Sequence, residues 1–86
     1  MKDLTQCRAE IDAIDTQLIA LFEERMRVAR DVAYYKQEHH MDILDSSREQ
    51  AVLDSRAARV TEDALRQPTI ELFRELMDKY RGEDYR

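Results

Sequence analysis

Arg25, Lys36 and Glu49 have no oppositely charged neighbour at helical spacing. On a helix the natural partners of a charge lie three or four residues away. Around Arg25 these are Leu21, Phe22, Val28 and Ala29, and around Lys36 they are Val32, Ala33, His39 and His40. Glu49 has Asp45, Ser46, Val52 and Leu53. Other charges are matched locally, such as Arg8 with Asp12, Arg48 with Asp45, and Arg27 with Glu23 and Asp31. Arg25 and Lys36 are eleven residues apart, so on one helix they point nearly the same way, ~16 Å apart along its axis. Two long cationic side chains so placed can embrace a small anion, a carboxylate above all. Glu49, from a second helix, would accept a hydrogen bond from a ligand hydroxyl. Each residue also has a structural reading. Arg25 could set coiled-coil register or snorkel to water, Lys36 could serve the helix dipole, and Glu49 could complete a capping box.

The elements that carry these residues are helical. The chain has 86 residues, 38% of them charged, with one Gly and one Pro, a composition that favours an all-α protein. Two apolar columns repeat every seven residues: Leu4, Ile11, Leu18, Arg25, Val32, and Cys7, Ile14, Leu21, Val28, Tyr35. They predict one long helix over about residues 4–38, roughly 50 Å in length. Cys7 sits in a column and reads as a core thiol. His39-His40-Met41-Asp42 reads as a connection. Ser46 with Glu49 matches a capping box, with Asp45 as a competing N-cap. A second helix follows over about 46–60, with Ala51, Val52, Ser55 and Ala58/Arg59 as a weakly apolar face. Residues 61–67 fit either a loop or a continuation of that helix. Pro68 opens a third helix over about 68–81, with Ile70, Phe73, Leu76, Met77 and Tyr80 on one face and Gly82 as its stop. Residues 1–86 thus read as a single helical domain of one long and two short helices. Two short helices cannot cover a seam of ~50 Å, and a bare apolar seam is adhesive. A homodimer that pairs the long helices is expected.

Several function classes are disfavoured. The net charge of -5, with both signs interspersed, suits neither nucleic acid nor an anionic membrane. No apolar run approaches the ~20 residues of a membrane span, and MKDLTQCRAEID has no signal-peptide core. A single cysteine points to a reducing, cytoplasmic location. No Cys–His or Ser–His arrangement, phosphate loop or metal cluster stands out. Catalysis here would rest on electrostatic stabilisation and conformational restraint.

The run CRAEIDAIDTQLIALFEERMRVARDVAYYK, followed by SSREQ, resembles the all-helical chorismate mutases. That family begins with Arg-x-x-Ile-Asp-x-(Leu/Ile)-Asp. It places an Arg seventeen residues after the first, a Lys or Arg eleven further on, and Arg-Glu twelve beyond that. Arg8, Arg25, Lys36 and Arg48-Glu49 meet these intervals without a gap. The resemblance implies an intertwined homodimer of three-helix chains that converts chorismate to prephenate, without a cofactor, in phenylalanine and tyrosine biosynthesis. It implies that Arg25 binds a substrate carboxylate within its own subunit and that Arg8 reaches the site of the other subunit. Lys36 would hydrogen-bond the ether oxygen and a carboxylate. Glu49 would hold the ring hydroxyl with Asp45 nearby, and Arg48 would line the site.

The third helix departs from the pattern. Seven residues after its Phe the family has a small residue, and eleven after it a Gln that contacts the ether oxygen. Counting from Phe73, this chain has Tyr80 and Asp84. An ionised carboxylate beside a developing oxyanion would oppose catalysis. Two further expectations follow. Activity could depend on docking to a DAHP synthase, or the chain could be the mutase part of an enzyme with a fused prephenate-processing domain. The alternative function is a weakly active or inactive helical dimer that binds a regulatory ligand or serves as an interaction module.

Overall fold

In the computed structural model the backbone of residues 2–84 and the side chains of residues 2–79 are described. Among them the chain is all-helical, with α1 over Leu4–Glu38, α2 over Ser46–Arg59 and α3 over Arg66–Asp84. A short 3-10 turn, Asp63–Leu65, leads into α3. The principal extents are 54 × 25 × 17 Å, an elongated shape set by α1. Among the described residues no helix is long and apolar enough to cross a membrane.

Both ends of α1 are built from local hydrogen bonds. Asp3 and Gln6 form a reciprocal capping box: Gln6 N donates to Asp3 Oδ1 at 2.8 Å, and Asp3 N to Gln6 Oε1 at 3.2 Å. At the other end Met41 N donates to Lys36 O at 2.8 Å and His40 N to Gln37 O at 3.3 Å. This pair of bonds is a Schellman closure, which needs a left-handed residue after the cap. His40 fills that position with φ 54, where a glycine would be unstrained.

The N-cap of α2 is Asp45, whose Oδ1 accepts from Arg48 N at 3.0 Å. The sequence expectation of a Ser46–Glu49 box is therefore corrected: Ser46 is already the first residue of the helix. Asp45 wins because its charged oxygen is the stronger acceptor at a positive helix end. Glu49 is left outside the cap and stands half-buried on the inner side of α2.

The α2 face also differs from expectation. Val52 and Leu53 are buried, while Ala51 and Ala58 are exposed. Leucine removes more apolar surface from water than alanine does, so the helix rotates to present it. Val52 and Leu53 join Met77 of α3 in the core, with Ile70 and Phe73 packed against them. Residues 61–67 resolve as a tight corner. The Arg66 guanidinium holds it, donating to Ala57 O at 3.1 Å and Val60 O at 2.9 Å and pairing with Asp63. It satisfies carbonyls that the end of α2 leaves open. α3 begins at Arg66, with Pro68 in its first turn, and continues through Gly82 to Asp84. Gly82 is not a stop. The Tyr80 and Asp84 side chains lie outside the described residues.

α3 contacts both α2 and α1. On α1 the buried positions are Met26 and Ala33, one column over from the heptad seam. The seam is bare: Leu4, Ile11, Ile14, Leu18 and Leu21 are each more than half exposed. Arg27 forms neither of the surface pairs its spacing allows, and Arg8 makes no ion pair with Asp12 among the described residues.

Candidate active site

A pocket of about 300 Å³ opens where the C-terminal half of α1 faces α2 and α3. Its apolar walls are Val28, Ala29 and Val32 of α1, Ile43 of the connection, Val52 of α2 and Met77 of α3. Its charged lining is Arg25 and Lys36 of α1, Asp45 at the cap of α2, and Arg48, Glu49 and Arg56 of α2. Of the six residues that the resemblance assigns to the substrate, five thus share one cavity. Arg8 does not, being most of the helix away.

Local geometry positions each group. Arg25, Ala29, Val32 and Lys36 follow one another at three- and four-residue steps, so they share a face of α1. The Lys36 Nζ donates to Ile43 O at 3.1 Å, which holds the ammonium toward the mouth of α2. Arg48 and Glu49 come from the first turn of α2, next to the Asp45 cap. Val52 is 5% exposed and anchors the α2 wall one turn further on.

Arg56 was not foreseen, yet its local signature matches that of Arg25. Its three- and four-residue neighbours are Val52, Leu53, Arg59 and Val60, with no carboxylate among them. In the structure both guanidiniums lie against the Phe73 ring, 5.8 Å from its centroid for Arg25 and 5.9 Å for Arg56. Burial lowers the pKa of Arg25 below the usual guanidinium range, and the charge of Arg56 adds to the shift. The site holds four cations against two carboxylates, in a cavity sized for a small molecule. That charge balance suits a small dianion.

No cluster of three or more His, Cys, Asp or Glu side chains that could hold a metal ion occurs among the described residues.

Against this geometry the sequence comparisons are decisive. The family model for chorismate mutase type II matches residues 7–83. The chain belongs to the type II chorismate mutase family. The family match spans all three helices and every lining residue of the pocket. The chain is also 31% identical over 85 residues to the T-protein of Haemophilus influenzae. That alignment covers 99% of this chain and 22% of the T-protein, so the chain spans about a fifth of that relative's length. No solved structure matches the chain. Within the pocket Arg56 is a third guanidinium beside Arg25 and Arg48.

Proposed function

We propose that this chain is a chorismate mutase, an isomerase that converts chorismate to prephenate by a Claisen rearrangement. The observation that carries the reading is the convergence of Arg25, Lys36, Asp45, Arg48 and Glu49 on one small-molecule pocket. The substrate is a dianion that must fold into a compact conformer before it reacts. Arg25 binds one carboxylate, with Arg48 helping to hold it. Lys36 donates to the ether oxygen, where negative charge grows in the transition state. Glu49 accepts from the ring hydroxyl, with Asp45 beside it. Fixing both carboxylates selects the reactive conformer, which is a proximity effect. The bond changes are concerted within the substrate and need no general base.

The second carboxylate needs a cation from elsewhere. Arg8 is ~26 Å from Arg25 along α1, too far to share a small ligand within one chain. An antiparallel homodimer brings Arg8 of the partner subunit to the pocket. Two features support the dimer. The seam Leu4–Leu21 is exposed along one edge of α1. The buried apolar core of the single chain comprises, among the described residues, only Met26, Ala33, Val52, Leu53 and Met77, too little for a stable monomer. Pairing of the long helices covers the seam and intertwines the two chains.

Loss of chorismate absorbance with purified protein tests the proposal. No turnover, alone and with a DAHP synthase present, would sink it.

A second reading is a weakly active or inactive dimer that serves as a regulatory or interaction module. It rests on the sequence, which has Tyr80 and Asp84 where the family has a small residue and a Gln after the Phe of the third helix. If that carboxylate faces the ether oxygen, activity rises as pH falls and Asp84 takes up a proton. A pH-independent rate across the acid range removes Asp84 from the site.

A further inference from the structure

The pocket contains a pair of guanidiniums with no carboxylate partner among the described residues. Arg25 comes from α1 and Arg56 from α2, both are half-buried, and both line the same cavity. Their guanidinium carbons lie 5.8 and 5.9 Å from the centroid of one ring, Phe73. Neither makes an ion pair among the described residues. Arg56 donates to Ser55 Oγ at 2.7 Å, a neutral partner that leaves its charge uncompensated. Two like charges brought together out of water repel one another. A structural role alone does not account for both, because one cation over the ring face would satisfy Phe73.

We infer that Arg56 is a ligand-binding residue that, with Arg25, forms a two-guanidinium clamp for a single carboxylate of the bound dianion. This rests on the mutase reading for the identity of the ligand, though the clamp itself needs only a carboxylate. Val52, one turn before Arg56, forms the buried wall of the cavity and fixes the side of α2 that Arg56 shares with Arg48 and Glu49. Both guanidinium carbons lie over the Phe73 ring, a contact that leaves N–H groups for the anion. A bound carboxylate turns their repulsion into two charge-assisted bonds. The clamp acts on a carboxylate whose charge hardly changes during the rearrangement. Arg25 still fixes that carboxylate when Arg56 is lost, so Arg56 contributes equally to the ground and transition states and appears in KM rather than kcat.

The test uses the full chain, with Arg56→Leu and Arg56→Lys compared against wild type by turnover and by calorimetric titration of a dicarboxylate transition-state analogue. Leucine retains apolar packing on Phe73, and circular dichroism checks that each variant is folded. Arg56→Leu is expected to weaken analogue binding and raise KM by roughly ten- to hundredfold, with kcat within about threefold. Arg56→Lys is expected to recover part of the loss, because the charge remains while the second N–H edge is gone. Unchanged analogue affinity in a folded Arg56→Leu protein would overturn the clamp, and so would an equal loss in the Lys and Leu variants. The titration arm does not require turnover. A wild type that binds the analogue through Arg56 without converting chorismate would retain the clamp and remove the mutase.

Discussion

The Lys36 ammonium donates to the carbonyl of Ile43 at 3.1 Å, across the connection that joins α1 to α2. Lys36 is also the residue whose own carbonyl accepts from Met41 in the Schellman closure. One residue thus ends the long helix with its backbone and enters the pocket with its side chain. The same turn that stops α1 aims the ammonium.

Lys36→Met should therefore separate chemistry from folding. The thioether fills similar space, and the Schellman bonds belong to the backbone. Removing a donor that acts on charge developing in the transition state is expected to lower kcat by roughly 10²–10³-fold. Steady-state kinetics beside a helicity measurement checks this. A fall in helicity equal to the fall in rate would assign Lys36 a structural role.

Arg25 and Arg8 provide a test of the shared site. Each single variant, Arg25→Ala or Arg8→Ala, should be nearly inactive while keeping its helices. Mixed and re-equilibrated, the two chains should form heterodimers with one complete site each. In a symmetric dimer random exchange restores about a quarter of wild-type sites. No recovery on mixing would argue that Arg8 does not cross between subunits.

Leu18 lies in the middle of the bare seam, 55% exposed, where substitution should not disturb the fold of one chain. Leu18→Arg would place a charge at the centre of the paired helices, against its counterpart. The variant is expected to sediment as a monomer with a lower melting temperature and no activity. The wild-type midpoint should rise with protein concentration, as it does for any dimer coupled to folding. A concentration-independent wild-type midpoint would contradict the dimer.

His40 offers a stability prediction of opposite sign. Its φ of 54 costs a non-glycine residue about 1 kcal/mol. His40→Gly should stabilise the protein by somewhat less than that, since glycine also loosens the unfolded chain. Denaturant midpoints measure the difference, and turnover per site should not change because His40 does not line the pocket.

The pKa of Arg25 adds a sign to the electrostatics of the site. Its folded value lies below its unfolded one, first through burial and then through Arg56. At neutral pH both states hold the proton, so the cost to the folded state is constant there and is relieved only at strongly alkaline pH. The site is thus destabilised when empty and recovers on binding an anion. Removal of Arg56 in the clamp experiment should for that reason leave the unliganded protein no less stable.

Much of the helical architecture was legible in the sequence because helix formation is a local, periodic signal. The seven-residue columns marked α1 from Leu4 to Glu38, and the near-absence of Gly and Pro left little else. The spacings among Arg25, Lys36, Arg48 and Glu49 were legible for the same reason, since positions on one helix face follow from residue number. What the sequence left open was rotation and register where the local signal is weak. α2 carries few large apolar side chains, so Ala51, Val52, Leu53 and Ala58 competed to define its inner face. Packing against Met77, Ile70 and Phe73 of α3 settled the competition for Val52 and Leu53. That rotation brings Arg56 into the pocket, and the choice of Asp45 over Ser46 as cap belongs to the same fine register. The end of α3 was misjudged because one glycine costs a helix only ~1 kcal/mol, which the rest of the helix can absorb. The chain determined its helices by itself. Which faces of them meet was decided by tertiary packing, because burial depends on atoms distant in sequence that no local period records.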